Sequence, residues 1–141
     1  MSTRSRIGVL NPDGSVTSVY CHWDGYPEWN GVLLRDYYSD AESVAKLVSM
    51  GSISALRKRI EPTPGEKHTF DDPLGDVTIS YHRDRGEKME KPQVDPTVAD
   101  YIAQTDRDAW EEYVYLWDGN KWKCWVIDGD EIDLSKIGDD D

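Results

Sequence analysis

The residues on either side of Gly119-Asn120 constrain the fold most. Tyr113, Tyr115 and Trp117, and then Trp122, Cys124 and Val126, fall at every second position, with Val114, Leu116, Trp125 and Ile127 between them. A period of two marks β-strands, and a Gly-Asn pair suits a two-residue turn, so the spacing predicts an antiparallel hairpin. Its register follows: Asp118 faces Lys121, Trp117 faces Trp122, Tyr115 faces Cys124 and Tyr113 faces Val126. One face is aromatic, and the other is apolar apart from Lys123, so both are expected to be partly covered.

A second hairpin is expected near the N-terminus. Ile7 to Leu10 and Val16 to Cys21 flank Asn11-Pro12-Asp13-Gly14, where proline suits the second turn position and glycine a left-handed one. A helix over 31–38 carries Leu33, Leu34, Tyr37 and Tyr38 on one side. Ser39-Asp40-Ala41-Glu42 has the form of a capping box for a second helix, with Val44, Leu47 and Val48, that ends at Gly51. Ile53, Leu56 and Ile60 then space a short third helical piece, leaving Arg57-Lys58-Arg59 exposed. Val77, Ile79 and Tyr81 alternate, predicting a strand over 76–82, and 83–93 reads as polar loop. Asp95-Pro96 opens a further helix through Val98, Ala99 and Ile102. Ile132, Leu134 and Ile137 are expected to dock at the end of the domain. Strands grouped as hairpins imply an α+β fold. The expected architecture is a two-layer domain over 1–137, with about five antiparallel strands and three or four helices, followed by a disordered acidic tail, 138–141.

At 141 residues the chain suits one domain. Its net charge is −12, and the stretch from Asp106 to Asp141 alone holds 12 acidic against 4 basic residues. Such a field repels phosphate backbones, so direct nucleic-acid binding is not expected, whereas a basic partner is favoured. Cys21 and Cys124 are far apart and lack CxxC spacing, and the sequence contains no apolar run of membrane-spanning length, so a reducing, cytoplasmic setting without membrane contact is expected.

Two stretches carry candidate binding residues. In Tyr20 to Pro27, His22 titrates near neutrality, Asp24 can orient a neighbour, and Trp23 and Tyr26 can stack on a planar group, with Arg4 and Arg6 on the preceding strand. The competing structural reading has both aromatics plugging the core. In His82 to Gly86, Arg83 and Arg85 can hold phosphate or carboxylate, or can simply neutralise Asp84 and Glu87. A His22/Asp24 acid–base pair would require two residues two positions apart to face each other. No nucleophile-elbow, phosphate-loop or zinc-protease motif is present, and neither a catalytic residue nor a cofactor is expected. The stretch from Asp128 to Asp133 opens like a calcium loop, but it has Ile132 at the fifth position and Asp139 at the twelfth, so no metal is expected. An acidic surface of Asp128, Asp130, Glu131 and Asp133, anchored by Trp117, Trp122 and Trp125, is the candidate partner-binding region.

Ser2-Thr-Arg-Ser-Arg-Ile7, the octapeptide Tyr20-Cys-His-Trp-Asp-Gly-Tyr-Pro27, Leu33-Leu34 with Tyr37-Tyr38, Arg83-Asp84-Arg85-Gly86 and Tyr115 to Gly119 together resemble a family of small accessory proteins of bacteriophages, prophages and plasmids. The resemblance implies a phage accessory protein in the host cytoplasm, and it assigns no catalytic residue. Proteins in that setting often counter host defence. The expectation is a non-catalytic inhibitor, of anti-CRISPR or anti-restriction type, that binds a basic protein groove. The alternatives are a pocket that sequesters a nucleotide signal, or a small-ligand enzyme.

Overall fold

In the computed structural model, residues 3–89, 91–103, 111–126 and 130–137 are described. Their strands are β1 (Arg4–Leu10), β2 (Val16–Cys21), β3 (Ile53–Ala55), β4 (Ile79–Ser80), β5 (Gln93–Asp95), β6 (Glu111–Trp117), β7 (Trp122–Val126) and β8 (Glu131–Ile132). They form one mixed sheet in the order β4-β3-β2-β1-β6-β7-β8, and β5 shares the outer edge of β2 with β3. The helices are α1 (Val32–Tyr37), α2 (Ala41–Ser49), α3 (Tyr81–Arg85) and α4 (Val98–Ala103), with a π-type turn over Pro27–Gly31 leading into α1.

Both hairpins form as the alternation requires. β6 and β7 pair Trp117 with Trp122, Tyr115 with Cys124 and Tyr113 with Val126. At the first hairpin Gly14 takes φ +91° and donates its N–H to the Asn11 carbonyl at 3.0 Å, the left-handed position that favours glycine. The fold is α+β, but the sheet is not the antiparallel one expected. β1 runs parallel to β6, and β2 parallel to β3. A parallel pair needs a crossover, and here α1 and α2 supply it between β2 and β3.

Helices cover both faces, so the domain has three layers and not two. On one face Ile7, Val19, Cys21, Tyr115, Trp117 and Cys124 meet Leu33, Leu34 and Tyr38 of the first helical segment and Val44, Leu47 and Val48 of α2. On the other, Val16, Val114, Leu116 and Trp125 meet Tyr101, Val98 and Ile102. Tyr101 lies across Gly8, where a Cβ would come within 2.9 Å of its ring, and its hydroxyl donates to the Tyr115 carbonyl at 2.6 Å.

Several local expectations shift. Residues 53–56 are strand and extended chain, not helix, and all four are buried. The strand expected over 76–82 shrinks to β4, because Ser80 caps a helix: its hydroxyl accepts the Arg83 N–H at 3.1 Å and its own N–H reaches Asp84 Oδ2 at 2.8 Å. The supposed loop at 83–86 is therefore helix plus a left-handed Gly86 at φ +78°. For α2 the cap is Asp40, which accepts from Ser43 at 2.8 Å, and for α4 it is Thr97, which accepts from Asp100 at 3.1 Å, while Asp95 ends β5. The C-terminal apolar residues dock as expected: Leu134 is buried in this first core, and Ile132 and Ile137 are partly buried against it. The expected tail at 138–141 and Ile127 lie outside the described residues.

Candidate functional site

The octapeptide is held at the carboxyl end of β2 by backbone chemistry. His22 and Trp23 donate their N–H groups to the carbonyls of Ile53 and Ser54, each at 3.0 Å, which extends the chain alongside β3. Asp24 then turns with φ +57°. Gly25 donates to the Thr3 carbonyl at 2.8 Å and accepts from the Tyr115 hydroxyl. A Cβ on Gly25 would sit 2.7 Å from that Thr3 oxygen and 2.8 Å from Ser5 Cβ, so only glycine fits. Beneath the turn the buried Asn30 amide donates to Ser5 Oγ at 3.3 Å and Cys21 Sγ at 3.4 Å.

This rigid turn displays Trp23, whose side chain belongs to the surface and not to the core. Trp23 is 44% exposed, Trp29 36% and Tyr37 42%. The three are spaced along one segment. The Trp23 backbone sits at Ser54, the Trp29 indole N–H donates to the Leu56 carbonyl at 3.4 Å, and the Lys58 ammonium lies 5.6 Å from the centre of the Tyr37 ring.

Behind Trp23 opens a hollow of about 360 Å³, lined also by Asp24, Ser54, Ala55, Arg57, Phe70 and Ile79. Arg57 donates from Nη1 to the Gly75 carbonyl at 2.8 Å, whereas its buried Nε meets no acceptor among the described residues. Phe70 lies 5.9 Å from the Tyr81 ring and 5.0 Å from the Arg85 guanidinium. Its other side borders a second hollow of about 330 Å³, with Thr69, Asp71, Asp84 and Arg85.

The expected ligand residues divide. Trp23 and Asp24 line the first hollow and Arg85 the second, with Phe70 common to both. His22 stands edge-on to Trp23 at 4.7 Å, and its Nδ1 is 2.7 Å from the Tyr20 hydroxyl, so its partner is Tyr20 and not Asp24. Burial, and then the Arg4 charge, push its pKa below the ordinary histidine value, leaving a neutral ring at neutral pH. Burial, and next the Asp24 carboxylate, raise the Tyr26 phenol. Arg6 is buried elsewhere, donating to Ser18 Oγ at 2.9 Å and the Ser18 carbonyl at 3.1 Å, with Glu111 at 4.0 Å. Arg83 is a structural clamp. It donates to the carbonyls of Ile60 and Thr78, each at 2.6 Å, and grips Asp84 at 2.8 and 2.9 Å. Asp84 also meets His68 Nε2 at 3.3 Å, with both side chains enclosed.

The expected partner surface changes more. Trp117, Trp122 and Trp125 are only 4%, 6% and 9% exposed, and the Trp122 indole donates to the Tyr38 carbonyl at 2.8 Å. These rings build the core, so they present no anchor. Asp130, Glu131 and Asp133 are exposed, and Asp128 lies outside the described residues. Asp133 accepts from the Ser135 hydroxyl at 2.6 Å and the Ser135 N–H at 3.0 Å, bonds that hold its carboxyl below the ordinary range. Glu131 and Asp133 share a hollow of about 400 Å³ with Arg35, Lys121 and Lys123, so this end of the molecule carries both signs of charge.

Sequence reasoning missed Phe70, Trp29 and Tyr37 as surface groups, and it read Arg57 as exposed on a helix and not beside a hollow. Phe70 did leave a signal, as the single Phe in a chain with six Trp and eight Tyr. No helix of the described residues is long and apolar enough to cross a membrane. Compared with known proteins, the chain matches no family model, no curated protein and no solved structure.

Proposed function

We propose that the protein is a phage-type accessory protein that inhibits a host defence complex, of the CRISPR or restriction kind, by covering a basic surface of it in the host cytoplasm without catalysis. The observation that carries this reading is the row of exposed aromatics Trp23, Trp29 and Tyr37. Each stands next to an acidic residue in the chain, as Trp23-Asp24, Glu28-Trp29 and Asp36-Tyr37. Large aromatics supply the anchoring energy of most interfaces, and acidic neighbours select a cationic partner while the net charge of −12 speeds encounter. The core role of the hairpin tryptophans moves the anchor to this row, and Asp130, Glu131 and Asp133 supply a secondary, steering charge. Support for a binding role also comes from the buried thiols of Cys21 and Cys124 and from the pairing of His22 with Tyr20.

The test is inhibition of target-DNA binding by purified CRISPR surveillance and restriction complexes. Competitive inhibition is expected for at least one complex, weakening as salt rises, and falling about tenfold or more in Trp29→Ala and Tyr37→Ala. Undisturbed DNA binding by every complex, or full inhibition by both variants, would refute it.

A further inference from the structure

We infer that the hollow behind Trp23 is a binding site for a small planar anion of the nucleotide class, taken up independently of any protein partner. Its place in the fold is the first argument. Trp23 and Asp24 follow β2, while Ser54, Ala55 and Arg57 lie on and just after β3, and β2 and β3 are neighbouring parallel strands joined through α1 and α2. Open sheets with crossover helices place their ligands outside the carboxyl ends of their parallel strands.

The chemistry of the walls is the second argument. Trp23 meets the His22 ring edge-on, with centroids 4.7 Å apart, and is 44% exposed, so part of its ring is open for a heterocycle to stack on. Arg57 brings a permanent positive charge to the same hollow, where its guanidinium can pair with a phosphate group. Asp24 on the rim can accept from the amino group of a base. At about 360 Å³ the hollow falls in the size range of small-molecule sites. The second hollow bordering Phe70, about 330 Å³, is the more acidic of the two, because Arg85 is paired with Glu87 at 3.3 Å and stands beside Asp71 and Asp84. Long nucleic acids are a poor fit, because the net charge of −12 repels an extended phosphate chain.

Calorimetric titration of the purified full chain tests the site, using AMP, GMP, cyclic di-AMP and cyclic di-GMP, with adenosine, guanosine and inorganic phosphate as halves of the ligand. The expected result is saturable binding of at least one nucleotide below millimolar concentration, with nucleoside and phosphate each weaker by about tenfold or more. Trp23→Ala should weaken it by about tenfold, as stacking on one ring dictates, and Trp23→Phe should restore most of it. Because Trp23 is exposed, its removal leaves the fold intact, which the thermal midpoint will register. Arg57→Gln should raise the dissociation constant of nucleotides but not of nucleosides. Absence of saturable binding by all four nucleotides overturns the site, as does an unchanged affinity in Trp23→Ala. No protein partner is present in these titrations, so their failure leaves the defence-directed reading standing.

Discussion

Gly8 and Tyr101 show how single atoms fix the second face of the sheet. Tyr101 is fully buried and held to the Tyr115 carbonyl, so its ring cannot retreat from a methyl group placed 2.9 Å from its Cζ and hydroxyl oxygen. Val16 Cγ1 blocks the same volume at 2.9 Å. Gly8→Ala is therefore expected to lower stability by about 1–3 kcal/mol, the usual range for overpacking, seen as an earlier urea midpoint. The double variant Gly8→Ala with Tyr101→Leu should cost less than the sum of the two single changes, because the leucine no longer reaches across. Additive losses would show that the two residues do not compete for space. Gly25 is glycine for a comparable reason, since the Thr3 backbone oxygen and the Ser5 side chain fill its Cβ position. From sequence it could be read as a turn residue, but neither the Thr3 strand that crowds it nor the Tyr101 ring over Gly8 could be inferred, because both come from positions distant in the chain.

Among the elements, the long stretch between β3 and β4 depends on a few arginines. Arg59 grips Asp76 at 3.0 and 3.1 Å and also reaches Glu66 at 3.0 Å, Thr63 Oγ1 at 3.1 Å and the Glu61 carbonyl at 3.3 Å. Its hydrogen bond holds Glu66 down to about 2, so the clamp persists at any physiological pH. Exposed ion pairs add little to global stability. Arg59→Ala should thus leave the urea midpoint nearly unchanged while opening residues 61–76 to limited proteolysis and faster amide exchange. An intact protection pattern would show that Phe70 is positioned without the clamp. Legibility from sequence also varied by element. The β6–β7 hairpin was readable to the residue, because alternation and a two-residue turn leave one register. β3 was not, because Ser54 and Ala55 interrupt its apolar run and the spacing of Ile53, Leu56 and Ile60 imitates a helix. Without β3 the crossover unit vanished, and with it the parallel pairing that forms the hollow. Arg57 was thus placed on a helix surface, and only the Trp23-Asp24 side of the site could be anticipated.

For the molecule as a whole, the buried acids of the core set its response to alkali. Burial pushes the thiols of Cys21 and Cys124 from 9.0 up to about 11 and about 12, and the Tyr38 phenol from 10.0 up to about 12. Each group ionises first in the unfolded chain, so stability is unaffected below pH 9 and declines as the pH rises from 9 towards 11. Urea midpoints measured from pH 7 to 11 should fall only in that upper window, and Cys124→Ala should flatten part of the decline. A constant midpoint across the window would mean that these groups are more hydrated than their burial implies. The central pair β1–β6 has a different consequence, one that concerns birth and not equilibrium. Arg4–Leu10 hydrogen-bonds β2 on one side, but its other side waits for Glu111–Trp117. A ribosome must therefore translate past residue 117 before the middle of the sheet can close. Until then the growing polypeptide carries an open strand edge of seven residues, a template for any passing strand. Slow decoding between residues 20 and 110 would lengthen that exposure, so yield in a recombinant host should respond to codon choice there and to chaperone supply.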